Sequence, residues 1–312
     1  MNPSDVLGFI GTGVMGEPMC RNLAQKSGRR VVAWDLQRAP LERLQAHGVV
    51  IAASADALAA QAAALFVCLP GGAQLESLCE TALLPAARAG LTIVDLGTSG
   101  VGRTRALARR FAERGADYAD APIARTRAAA EAGTLAISVG AAPEVFRRIQ
   151  PLLACLGTDV THCGGVGNGQ VVKILNNMVL FETVVALCEA KAIGERAGVD
   201  PTLLFDALSK GSADSFALRN HGIKAMLKSD FPEKAYSCEY ALKDIRYALR
   251  LSEEAGVFLS GADNAKETIK KAIRAGYGKA YFPVLAKVVA SAGPAKPAPA
   301  APARGAGRKK GG

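Results

Sequence analysis

In the stretch Gln170-Val-Val-Lys-Ile-Leu-Asn-Asn-Met-Val-Leu-Phe181, the only polar side chains are Gln170, Lys173, Asn176 and Asn177. Read as a helix, it puts Lys173 and Asn177 four residues apart, on one face and one turn from each other. A lysine enclosed by Val, Ile and Leu loses hydration, and burial lowers an ammonium pKa toward neutrality, where the group can give and take protons. The chemistry that suits this pair is proton donation to a carbonyl oxygen during its reduction, with Asn177 positioning the lysine or the substrate hydroxyl. Oxidation runs the same step backwards. The competing reading is a lysine whose stem packs while its head reaches water. Position favours chemistry: Lys173 follows the glycine cluster Gly164–Gly169, at the junction of two kinds of sequence texture, and ligand clefts form at such junctions.

A second constellation lies near the N-terminus. Gly8-Phe9-Ile10-Gly11-Thr12-Gly13-Val14-Met15-Gly16 places Gly-x-Gly-x-x-Gly directly after an apolar strand pattern and before a helix carrying Met19 and Leu23 on one face. Gly11 permits a tight turn, Gly13 lets backbone amides approach a pyrophosphate, and Gly16 lets helix and strand pack closely. The helix N-terminus adds partial positive charge for phosphates. Asp35 stands 19 residues after Gly16, at the end of the next strand pattern, Val31–Trp34. A carboxylate there bonds the adenosine ribose hydroxyls and repels a 2′-phosphate, which favours NAD, while Arg38 leaves NADP possible. Two further turns, Leu69-Pro70-Gly71-Gly72 and Asp95-Leu96-Gly97-Thr98-Ser99, follow apolar strands and either line the cofactor or are ordinary loops.

The elements that must carry these residues follow from hydrophobic pattern. Short apolar runs at Val6–Ile10, Val31–Trp34, Leu65–Leu69, Thr92–Leu96, Leu135–Val139 and Val160–Cys163 alternate with helical stretches, which predicts a doubly wound, Rossmann-type parallel sheet covered on both faces. Beyond it the pattern is all-helical: a long helix from Gln170 to Ala197 ended by Gly198, a helix opened by Pro201, and segments 216–227, 240–255, 262–275 and 281–290. The expected organisation is an NAD-binding domain over 1–164 and a helical substrate-closing and oligomerisation domain over 165–292. A disordered basic Pro/Ala/Gly tail over 293–312 follows.

Of the 312 residues half are hydrophobic and 21% charged, so a core is available and wholesale disorder is excluded. The net charge of +10 owes half its excess to Lys296, Arg304, Arg308, Lys309 and Lys310 in that tail. The remaining basic residues are spread along the chain without the aromatic interleaving that makes a stacking platform, which argues against a nucleic-acid interface outside the tail. Cys20, Cys68, Cys79, Cys155, Cys163, Cys188 and Cys238 form no CxxC pair and read as free thiols in a reducing cytoplasm. His47, His162 and His221 lack ligand spacing, so no metal is expected. No segment reads as a leader or a membrane span. The expected partner is a small-molecule acid, and the apolar faces of the helical half point to a homodimer or homotetramer.

With these residues in hand, the chain resembles the β-hydroxyacid dehydrogenase family over about residues 6 to 290. The pieces that carry the resemblance are the Gly8–Gly16 loop, Asp120-Ala121-Pro122, Gly133-Thr134-Leu135, the Gly164–Asn177 segment and Leu242-Lys243-Asp244. The resemblance implies a 3-hydroxyisobutyrate dehydrogenase-like activity in which Lys173 is catalytic, Asn177 contacts substrate, and Lys243 closes over the nicotinamide. Thr98 matches the threonine after the fourth-strand turn. Two departures stand out. Where the family has Ser-Gly-Gly, this chain has Ala124-Arg125-Thr126, and Gly97 replaces the usual serine of Asp-x-Ser-Thr. The Arg-Thr pair is similar to that of sulfolactaldehyde reductases and threonate-type dehydrogenases, which implies that Arg125 and Thr126 meet the substrate's acid group. A guanidinium suits a carboxylate, sulfonate or phosphate. Imine reduction on the same fold and a non-catalytic NAD-binding module with a nucleic-acid-contacting tail are both disfavoured by the presence of Lys173.

Overall fold

The computed structural model describes residues 5–233 and 235–291; the tail expected over 293–312 lies outside them. The first half alternates strands and helices in the order β1 (Val6–Ile10), α1 (Gly16–Lys26), β2 (Val31–Trp34), α2 (Arg38–Gln45), β3 (Val50–Ile51), α3 (Ala55–Gln61), β4 (Ala62–Val67), α4 (Gly72–Leu78), β5 (Thr92–Asp95), α5 (Val101–Ala112) and β6 (Asp117–Asp120). The six strands form one parallel sheet in the order β3-β2-β1-β4-β5-β6. Both faces are covered. Leu7, Phe9, Val94 and Ala119 face one buried cluster while Ile10, Val32, Leu65 and Ile93 face another, so each strand needs apolar residues at consecutive positions.

A second sheet follows, built from β7 (Ile123–Ala124), α6 (Arg127–Ala132), β8 (Leu135–Val139), α7 (Pro143–Leu153) and β9 (Gly157–His162), with strand order β7-β8-β9. β7 runs antiparallel to β8 and β9 parallel to it. This corrects the expectation that 135–139 and 160–163 extend the main parallel sheet. The main sheet is completed by β3 and β6, which the apolar pattern did not announce. β3 is two residues long, and β6 reads Asp-Tyr-Ala-Asp, its two acids sitting at the ends, where Asp117 pairs with Arg148 and Asp120 caps a helix.

The remainder is helical: α8 (Asn168–Arg196), α9 (Pro201–Ser209), a widened turn segment Leu218–Met226, α10 (Cys238–Ala255), α11 (Ser260–Ala272) and α12 (Leu285–Ser291). Gly198, at φ +89°, ends α8 as expected, and the Val199 amide returns to Gly194 O at 2.9 Å. By length and composition α8 could cross a membrane, contrary to the expectation that no segment reads that way. Packing uses part of that apolar surface: Phe181, Val184, Val185 and Cys188 are enclosed with Phe205, Ile245, Ile269 and Phe282, while Val172, Leu175, Val179 and Ile193 stay exposed.

One carboxylate joins the halves. Asp120, fully buried at the end of β6, accepts the amides of Gly167 (2.6 Å) and Gln170 (2.8 Å) and so caps the first turn of α8. The approach is close enough that a Cβ on Gly169 would stand 2.4 Å from Ser138 O. Burial pushes the Asp120 carboxyl up to about 6, opposed by those two amides. Asp120→Ala strands two buried N–H groups and is expected to cost about 3 kcal/mol. A shift of the urea midpoint corresponding to less than about 1 kcal/mol would show that the cap carries little of the junction.

Candidate active site

The turn from β1 into α1 has the shape a phosphate-binding loop needs. Gly11 lies at φ +89° with its α-carbon against the main chain of Cys68, and a Cβ on Gly16 would fall 1.8 Å from Gly11 O. Around Gly13 the opposite holds: a Cβ there would meet nothing within 4 Å, so the approach to the loop amides is open. The first amide bonded back along the helix is that of Glu17, to Gly13 O, which leaves the amides of Val14, Met15 and Gly16 ahead of it at the helix entry. Asp35 fixes the loop from the end of β2. Its Oδ2 accepts the amide (2.5 Å) and hydroxyl (3.1 Å) of Thr12, and its Oδ1 accepts the amide of Gln37 (2.8 Å). An open cradle of amides beside a carboxylate at the tip of the second strand fits a dinucleotide.

The two further turns close on the same region. Leu69 packs toward Gly11, and Pro70 O accepts a 2.9 Å hydrogen bond from Lys243 Nζ, which reaches across from α10. Tyr240 and Tyr247 flank that ammonium at 5.1 and 5.9 Å from their ring centroids. The turn after β5 is held from both sides. Buried Asp95 accepts the Gly97 amide (2.9 Å) and the Tyr118 hydroxyl (3.3 Å) from below. Gln170, with no exposed surface, accepts the Ser99 amide (3.0 Å) and donates to Gly97 O (2.8 Å). Half-buried Thr98 sits between these two clamped residues.

Lys173 lies one turn beyond Gln170. Desolvation pulls its ammonium down to about 8, partly opposed by the charge of Asp244 and reinforced by that of Lys243. Asn177, one turn further, donates from Nδ2 to Asp244 Oδ2 at 2.9 Å and is 3.5 Å from the Tyr236 hydroxyl. Tyr236 donates to the same carboxylate oxygen; burial and Asp244 raise its phenol well above the usual range, so it stays a donor. Asp244, 2% exposed, keeps Oδ1 without a hydrogen bond, 3.2 Å from Lys243 Nζ. Gln170, Asp244, Tyr236 and Asp95 escaped the sequence reading as site residues. Asp244 beside Lys243, Gln170 in its apolar stretch and Asp95 at the head of the Thr98 turn each carried a local signal, and Tyr236 carried none.

Arg125 and Thr126 have other partners. Thr126 caps α6, accepting the Ala129 amide at 3.4 Å. Arg125 has a left-handed backbone, φ +86°, and its guanidinium is engaged at the start of β9 and the end of α6: Thr134 O at 2.6 Å, Thr158 Oγ1 at 3.2 Å and Asp159 Oδ2 at 2.7 Å.

Residues 6–165 match the family described as the NAD binding domain of 6-phosphogluconate dehydrogenase, and residues 167–289 match the NAD-binding family of NADP-dependent 3-hydroxyisobutyrate dehydrogenase. The 2-(hydroxymethyl)glutarate dehydrogenase of Eubacterium barkeri is 34% identical over 290 residues, covering 92% of this chain and 96% of that protein. The chain belongs to the β-hydroxyacid dehydrogenase family. The 2-hydroxy-3-oxopropionate reductase of Escherichia coli K12 is 33% identical over 84% of this chain and 89% of that protein. Among solved structures, Mycobacterium tuberculosis 3-hydroxyisobutyrate dehydrogenase with L-serine superposes with a TM-score of 0.84 at 26% identity, covering 92% of this chain and 99% of that one. The protein is thus an NAD(P)-dependent oxidoreductase acting on hydroxyl groups.

Asp95, beneath the Thr98 turn, titrates in a measurable window. Burial pushes its carboxyl up to about 7, against an unfolded value near 3.9. The folded state therefore holds this proton more tightly, and the stability it contributes is present below about pH 4 and lost as pH rises through about 7. Asp95→Asn should gain stability relative to the parent between pH 4 and pH 8, by more than about 1 kcal/mol. A pH-independent difference in denaturation midpoints would contradict this.

Proposed function

We propose that this dehydrogenase interconverts a small β-hydroxy acid and the corresponding semialdehyde, with Lys173 as proton donor and acceptor. The observation that carries the reading is the desolvated ammonium at about 8 on α8, one turn from an asparagine pinned to a buried carboxylate. When bound, the nicotinamide supplies hydride to the carbonyl carbon or accepts it from the carbinol. In the reductive direction the Lys173 ammonium donates its proton to the developing alkoxide; in the oxidative direction the neutral amine takes the hydroxyl proton. Asn177, fixed by Asp244, orients the reacting oxygen against Lys173. Gln170 holds the Thr98 turn, and Lys243 spans the cleft to Pro70, so both halves of the chain wall the site. Asp35 at the tip of β2 favours NAD over NADP.

The names of the relatives support the substrate class. 2-(Hydroxymethyl)glutarate and 2-hydroxy-3-oxopropionate both carry a hydroxymethyl or aldehyde carbon β to a carboxylate. In this chain the acid falls to Arg125. Its left-handed backbone costs roughly 1–3 kcal/mol, whereas an exposed ion pair such as Arg125–Asp159 returns about 0–1 kcal/mol. Strain of this kind clusters at ligand sites. A guanidinium in place of a Ser-Gly-Gly loop also accommodates a sulfonate, the second reading of the acid group.

Steady-state kinetics in both directions test the proposal. Lys173→Ala should lower kcat about a thousandfold. Reduction by the parent enzyme should fall as pH rises past about 8, oxidation should rise through the same pH, and NADH should outperform NADPH. The same pH dependence in both directions, or substantial turnover by Lys173→Ala, would contradict it.

A further inference from the structure

Arg125 is expected to meet the substrate acid, yet in this structure its guanidinium is already occupied. Nη2 pairs with Asp159 Oδ2 at 2.7 Å, and Nη1 donates to Thr134 O at 2.6 Å and Thr158 Oγ1 at 3.2 Å. Thr158 in turn donates to Asp159 Oδ2 at 2.9 Å, so the second and third residues of β9 form one acceptor face for the arginine. That hydroxyl and the guanidinium hold the Asp159 carboxyl below the usual carboxylate range, so it is charged at neutral pH. The pair is exposed, at 39% and 57% of the two side chains. An ion pair so wet is weak and exchangeable, unlike a buried one, whose rupture strands a charge.

We propose that Asp159 parks Arg125: an acid-bearing substrate must take the guanidinium from this carboxylate, and Asp159 thereby sets the enzyme's affinity for anionic substrates without entering the chemical step. The inference rests on the reading of Arg125 as the acid-binding residue. Two carboxylates compete for one planar fork, and bidentate recognition of the substrate requires donors that Asp159 and Thr158 hold in the parked state. A substrate lacking the acid has nothing to exchange and is indifferent to Asp159. The residue is accordingly a positioning residue, acting only through Arg125.

The test compares methylmalonate semialdehyde with 2-methylpropanal, which replaces the carboxylate by a methyl group. Asp159→Asn should lower KM for the acid about two- to fivefold, leave kcat unchanged, and leave kinetics with 2-methylpropanal unchanged. Asp159→Glu, which keeps the charge, should retain the parent KM. Glu131→Gln removes a carboxylate from neighbouring α6 that pairs with Arg127 instead, and should leave KM where it was. An unchanged or raised KM in Asp159→Asn, or an equal fall in Glu131→Gln, would overturn the parking role. Arg125→Gly separates the two claims, since it should raise KM for the acid at least about tenfold. If it does so while Asp159→Asn has no effect, parking alone fails; if Arg125→Gly leaves KM unchanged, the acid-binding reading fails with it.

Discussion

The buried carboxylate of Asp120, accepting two amides from the first turn of α8, is the contact on which the geometry of the site depends. It fixes the N-terminus of a 29-residue helix against the end of β6. Everything chemical on α8 is then indexed from that point. Gln170, Lys173 and Asn177 follow at steps of three and four, along one face. The first clamps the Thr98 turn, the second is the proposed proton carrier, and the third bridges to α10. A helix free to slide or rotate would carry all three out of register together.

Electrostatics within this frame work against one another in a useful way. Desolvation alone would drive the Lys173 ammonium toward the neutral amine, while Asp244 restores part of the charged form. The balance near 8 lets one side chain serve as acid and as base close to neutral pH. Asp244 is held in place for this part by Asn177 and Tyr236, which both donate to its Oδ2. Lys243, drawn toward both Asp244 and Pro70, lies where the two halves of the chain meet.

Much of this was legible in the sequence. The glycine loop and Asp35 announced themselves because backbone geometry demands glycine at fixed positions and ribose recognition demands a carboxylate at a fixed strand end. Lys173 and Asn177 were visible because polar residues on an apolar helix face are conspicuous. What stayed hidden was long-range pairing. Asp120 is separated by 50 residues from the amide it caps, and Gln170 by 71 from the turn it clamps. Both stand in segments that the sequence marks, Asp120 before Ala-Pro and Gln170 at the head of an apolar helix, but nothing local names the distant partners they bind. Strand membership failed for a related reason: β6 begins and ends with aspartates, so its edge residues look like loop until the partners that satisfy them are seen. Arg125 was singled out for its chemistry, but its pairing with Asp159 belongs to the folded chain.

The central claim is that α8 delivers a desolvated amine as the proton-carrying group, and it can be read without turnover. Direct titration of the Lys173 side chain by NMR of the isotopically labelled protein, assigned with Lys173→Arg, should give a pKa of about 8. Titration near 10.4, the value of a solvated lysine, would contradict the account.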